Sequence, residues 1–96
     1  MSKITVVAKI VAKKESVEAV KAELLQLIPP TRKENGCIEY LLHQDNQDPA
    51  VFIFYETWES ADSLVAHTNT DHYKAYVNAV ASWIEDKVVH KMTRIS

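Results

Sequence analysis

The chain has 96 residues, 47% of them hydrophobic and 25% charged, with eleven basic against thirteen acidic side chains and a net charge of −2. A single domain of this size buries only about two thirds of its unfolded surface, so its core is thin and a second copy would thicken it. One glycine, no basic cluster longer than Lys13-Lys14 and no apolar run near the roughly 20 residues of a bilayer span argue against a phosphate loop or dinucleotide site, a nucleic-acid partner and a membrane span.

Ile4 to Ala12 reads as a strand, with Ile4, Val6, Ala8, Ile10 and Ala12 on one face. The other face, Thr5, Val7, Lys9 and Val11, is half apolar, as in a strand covered on both sides. Ser16 is a candidate N-cap, and Val17, Val20, Leu24, Leu27 and Ile28 repeat at helical spacing. Pro29-Pro30 is expected to stop or kink this helix, Thr31 to Asn35 to form a further turn, and Gly36 to end it in a left-handed conformation. Cys37 to Gln44 predicts a second strand, Asp45 to Pro49 a reversal, and Ala50 to Trp58 a third strand, together a hairpin. Cys37 alone cannot form an intramolecular disulfide and reads as a small buried hydrophobe; with no secretory pattern at the amino terminus, a reducing, cytoplasmic compartment is expected.

Ser60 is the next N-cap candidate, leading Ala61 to His67 into a short helix. After a break at Thr68-Asn69, Thr70 or Asp71 restarts helix, with Tyr73, Tyr76, Val77, Val80 and Ile84 at helical spacing. Lys87 to Ile95 predicts a closing strand. The order is β-α-β-β-α-β, the split βαβ arrangement of a ferredoxin-like α+β fold: an antiparallel sheet with helices on one face and an open face that calls for a partner. Nothing divides the chain, so residues 1–96 read as one domain.

Two segments carry a family resemblance. Thr31-Arg32-Lys33-Glu34-Asn35-Gly36-Cys37-Ile38-Glu39-Tyr40 resembles the TR-x-E-x-G-C-x-x-Y signature of antibiotic biosynthesis monooxygenase domains. Tyr55-Glu56-Thr57-Trp58-Glu59-Ser60, followed by Leu64, His67, Thr70, Asp71 and His72, is similar to that family's Y-E-x-W-x-S … L-x-x-H … S-x-H segment. The resemblance implies a homodimer in which two sheets pack face to face as a dimeric α/β barrel, each subunit keeping a pocket between sheet and helices.

Within that frame His67 is the candidate catalytic residue, a general base or a donor to an oxyanion, because imidazole titrates near neutrality. Its plainer reading is a helix-terminal histidine set against the dipole. Trp58, Tyr76, His72 and Tyr55 are the candidate substrate-binding residues. The resemblance places Trp58 beside the pocket, where its N–H could meet a bound oxygen, while an aromatic stripe on a strand is otherwise core. Arg32 and Glu34 read as structural, a salt bridge or carbonyl cap at the turn into the second strand. Glu56, a carboxylate among aromatics, needs a partner if buried, with Arg32 or backbone as candidates. His43 and His90 read as surface or interface residues. The five-residue spacing of His67 and His72, with no cysteine or carboxylate cluster to complete a ligand set, predicts no metal.

The expected activity is a cofactor-independent monooxygenase that oxidises a quinol or other dihydroxylated aromatic with dioxygen, the deprotonated substrate supplying the electrons. One alternative is an isomerase of a phosphorylated signalling sugar, for which Arg32 and Lys9 would be the cations. Another is a non-catalytic dimeric small-molecule-binding protein. Haem degradation is not expected: the related branch uses a strand-one asparagine that is absent here and a ligating histidine where this chain has Val77.

Overall fold

The computed structural model describes residues 2–96. Its elements are β1 (Ile4–Ala12), a 3₁₀ turn (Lys14–Ser16), α1 (Val17–Arg32), β2 (Cys37–Gln44), β3 (Val51–Trp58), α2 (Ala61–Thr68), α3 (Asp71–Val80) and β4 (Ile84–Met92). The four strands make one antiparallel sheet in the order β2-β3-β1-β4, so the two chain halves interleave through the central pair β1 and β3. This is the ferredoxin-like order expected from the element sequence.

The two-residue period of the strands sorts their side chains between faces. Val6, Ala8, Ile10 and Ala12 of β1 are buried beneath the helices, with Phe52, Phe54, Glu56 and Trp58 of β3 and Tyr40 of β2 beside them. Val20, Leu24 and Leu27 of α1, Leu64 of α2 and Tyr76 and Val80 of α3 close the core from above. Each large side chain buried this fully contributes on the order of 1.5–3 kcal/mol. The other face of the sheet carries Leu41, Tyr55, Val88 and Met92, all more than a third exposed. The strand register sets Leu41 opposite Tyr55, Tyr55 opposite Val7 and Val7 opposite His90, a row across the whole open face. Among the described residues no helix is long and apolar enough to cross a membrane.

Three local expectations are corrected. Pro29 and Pro30 do not stop α1, which runs through them to Arg32. The carbonyls that lose their amide donors belong to Leu25 and Gln26, four residues earlier, and both residues are exposed, so water can satisfy them. Ser16 precedes α1 but makes no capping bond with its side chain; it is buried at the end of the 3₁₀ turn, which delivers the chain into the helix instead. Ile84 does not continue the stripe of α3. The helix ends at Val80, Trp83 N–H donates to Val80 O, and Ile84 opens β4 opposite Ala12. A four-residue interval satisfies the strand period as well as the helical one, so spacing alone could not place Ile84.

Candidate active site

The site is assembled where the end of α1 meets the junction of α2 and α3. Beyond Arg32 the chain turns through residues 33–36, held by Glu34 N–H donating to Thr31 O (3.0 Å) and Cys37 N–H to Glu34 O (3.2 Å). Gly36 has φ +94°, as expected of the residue that ends the turn. A β-carbon there would lie 2.6 Å from Ser63 Cβ and closer still to Ser63 Oγ, so the turn packs directly against the first turn of α2. Ser60 caps α2 by accepting from Ser63 N–H (3.2 Å). Thr70 Oγ1 accepts from Tyr73 N–H (3.2 Å) and donates to His67 O (2.7 Å), tying the end of one helix to the start of the next. The two capping residues therefore fix where His67 and His72 stand.

Glu34 fills the space between those histidines. Its Oε2 is 2.8 Å from His67 Nδ1 and 2.6 Å from His72 Nε2. A carboxylate oxygen only accepts, so both facing ring nitrogens donate to it. His67 is then protonated at Nδ1 and presents a bare Nε2, which has no protein partner among the described residues. The ring is 3% exposed. Burial holds its pKa below the usual histidine value, with Glu34 opposing, so the imidazole is neutral at pH 7. Trp58 packs against it at 4.8 Å between centroids, and Tyr73 and Tyr40 meet it edge-on.

His67 lines a cavity of about 280 Å³ between the sheet and α2 and α3. Ala8, the smallest side chain on its floor, leaves room between Phe54 and Val89, its neighbours across the sheet. Tyr73 and Tyr76 stand over that floor, and Glu56, Lys87 and Lys91 supply its charged groups. The Glu56 carboxyl is 5% exposed, and burial raises its pKa from 4.5 to about 7 despite the Trp58 N–H bond and the nearby Lys87. Near neutral pH it is therefore divided between carboxylate and acid. Burial also raises the pKa values of Tyr40 and Tyr76, which stay protonated and can donate.

Of the residues singled out in the sequence, His67 and Tyr76 line the cavity. His72 does not; it is hydrogen-bonded to Glu34, with its ring centroid 6.3 Å from that of His67. Trp58 is fully buried and donates its indole N–H to Glu56 Oε1 (2.8 Å), so it supports the wall and its donor is already used. Tyr55 is misplaced by the sequence reading: it lies on the open face of the sheet, 38% exposed and away from the cavity. Its strand neighbour Glu56 takes the inward position instead, because successive strand residues face opposite ways. Arg32 does not pair with Glu56. Its guanidinium caps the Tyr40 carbonyl through Nε (3.2 Å) and Nη2 (3.0 Å), the carbonyl-cap alternative. Cys37 is half-buried, and burial with Glu34 beside it pushes its thiol up to about 11, so it is protonated at neutral pH.

Sequence spacing missed the part played by Glu34, which lies 33 residues from His67 and 38 from His72. It supplies the carboxylate that the histidine spacing did not reveal, and the ligand atoms of the three residues all lie within 4.8 Å of one another. Ligands about 2 Å from a tetrahedral metal stand about 3.3 Å apart. The 2.6 and 2.8 Å contacts are shorter, so as they stand these side chains form a hydrogen-bonded relay. Lys87 and Lys91 are charged pocket groups to which the sequence pattern gave no site role; the register of β4 turns them inward.

The sequence profile of antibiotic biosynthesis monooxygenases matches residues 3–79. This chain belongs to the antibiotic biosynthesis monooxygenase family. Among curated relatives of this family member, an Escherichia coli protein named "Probable quinol monooxygenase YgiN" is 34% identical over 71 residues, covering 66% of this chain and 68% of that protein. The Synechocystis protein sll1783 is 31% identical over 74 residues, covering 77% of this chain and 50% of that protein, so the chain spans half the length of that relative. Among solved structures, PA3566 of Pseudomonas aeruginosa superposes with a TM-score of 0.96 at 30% identity, covering all of this chain and 97% of the other.

Proposed function

We propose that this family member is a cofactor-independent monooxygenase for quinol-type aromatics. The observation that carries the reading is the buried, neutral His67, oriented by Glu34 and lining an aromatic-walled cavity. Transfer of a substrate hydroxyl proton to Nε2 makes a phenolate, which can reduce dioxygen without help from a metal or flavin. His67 would then be cationic beside the Glu34 carboxylate, an arrangement that stabilises the charge as it forms. For a hydroquinone the balance is one quinol and one O₂ giving one hydroxyquinone and one water. The substrate supplies all four electrons, two from the quinol-to-quinone oxidation and two from the ring C–H that becomes C–OH. Tyr76 and the protonated fraction of Glu56 can donate hydrogen bonds to oxygens of the bound ring. The name of the Escherichia coli relative agrees with this substrate class.

The isomerase alternative loses the cations named for it. Lys9 lies on the open face of the sheet and Arg32 is engaged with the Tyr40 carbonyl. We also infer a homodimer formed through the open face, since the row Leu41, Tyr55, Val7 and His90 crosses the full sheet without cover.

Oxygen consumption by metal-free, flavin-free protein against hydroquinones, dihydroxynaphthalenes and anthrones tests the proposal, with His67→Ala run alongside. Uptake that follows protein concentration and falls in the variant is expected. Uptake no faster than autoxidation across the panel would refute it.

A further inference from the structure

The two lysines of β4 face the cavity rather than solvent alone. Lys87 pairs with Ile10 across the ladder and Lys91 with Val6, so both share the helix-side face with Val89 between them. β4 is an edge strand, which puts this pair along one open side of the cavity. Lysines on an edge strand commonly serve to block strand addition. That role needs no inward side chain, whereas here Lys87 Nζ bonds the Tyr73 hydroxyl (3.1 Å) and lies 5.6 Å from the centre of that ring. Among the described residues neither ammonium is within 4 Å of a carboxylate, since the ion pairs formed are those of Glu34 with the two histidines. Among the described residues the only carboxyl on the cavity wall is Glu56, which is partly protonated near neutrality. A chain of net charge −2 thus sets two solvent-exposed lysines, neither within 4 Å of a carboxylate among the described residues, at the open side of a largely apolar and aromatic cavity.

We propose that the ligand of this cavity is an aromatic acid: a hydroxylated ring whose carboxylate is held by Lys87 and Lys91 at the β4 side while its hydroxyl edge reaches His67. This deepens the monooxygenase reading and rests on it for the hydroxylated ring, but not for the anion. Charge-assisted hydrogen bonds from two ammonium groups are stronger than neutral ones. Both lysines are solvent-exposed at the open side of the cavity, where the carboxylate of a ligand can stay near water while its ring is buried. The apolar floor of Val6, Ala8, Ile10 and Phe54 matches a ring and offers a sugar no polar partners.

The test uses redox-inert monophenols, so that binding is read apart from turnover. A hydroxynaphthoic acid and its methyl ester are titrated calorimetrically into wild-type protein, a Lys87→Met/Lys91→Met double variant and a Lys87→Arg/Lys91→Arg double variant. The acid should bind wild type at least tenfold tighter than the ester, the methionine pair should bring the ratio close to one, and the arginine pair should keep it. Equal binding of acid and ester by wild type, or no binding of either, overturns the proposal. So does a preference that survives in the methionine pair, or competition by millimolar inorganic phosphate, which would point to a phosphorylated ligand. A lysine-dependent preference in a protein that consumes no oxygen with any quinol would leave this inference standing and sink the monooxygenase reading instead.

Discussion

Glu56→Gln isolates a single buried ionisation. Glutamine keeps the shape and the amide oxygen that accepts from Trp58 Nε1, now 2.8 Å from the carboxyl, but stays neutral at every pH. In the unfolded chain the carboxyl loses its proton near 4.5; in the folded protein burial delays this to about 7. A gap of about 2.5 pH units corresponds to about 3 kcal/mol of folding free energy at roughly 1.4 kcal/mol per unit. The sign follows from proton binding. Between pH 4.5 and about 7 the folded state holds more protons than the unfolded one, so wild-type stability contributed by Glu56 is complete below 4.5 and lost as pH rises through 7. The substitution removes that loss. Urea unfolding of both proteins at matched protomer concentration, from pH 4.5 to pH 8.5, should show the variant gaining on wild type by about 3 kcal/mol across the range. The contribution of His67 is common to both proteins and cancels in the difference. A difference that is flat with pH, or that moves against the variant as pH rises, would refute the buried, solvent-starved carboxyl that this reasoning requires.

His67→Ala is expected to lower kcat for quinol oxidation by about 10²–10⁴-fold in oxygen-electrode assays, the usual contribution of a positioned base. Glu34→Gln should retain substrate binding yet lower kcat, because the amide can orient Nδ1–H but cannot offset the imidazolium charge; an unchanged kcat would remove Glu34 from the mechanism. Gly36→Ala should destabilise the fold by at least about 1–2 kcal/mol from its positive φ alone, with a further cost from the Ser63 contact, and Ser63→Gly in the same chain should recover only the second part in thermal melts. Tyr55→Glu, on the open sheet face, should shift the protein from dimer to monomer in light scattering without touching the cavity; a dimer that survives would place the interface elsewhere.

The sequence by itself determined the element order, which residues share each strand face, the cap at Ser60 and the turn at Gly36, because these follow from periods of two and 3.6 residues and from local turn chemistry, while the family resemblance rested on the two motif segments. Of its candidate site residues, His67, singled out by motif position, and Tyr76 line the cavity. Tertiary structure alone decided the rest. The two-residue alternation says that Tyr55 and Glu56 face opposite ways, but only helices packed on one side decide which faces inward. The helix running through Pro29 and Pro30 depends on two freed carbonyls belonging to exposed residues. Glu34 joins His67 and His72, and Lys87 and Lys91 enter the cavity, only once strand register and helix packing bring residues distant in sequence together. Such meetings arise from long-range packing, whose free energy no local pattern encodes.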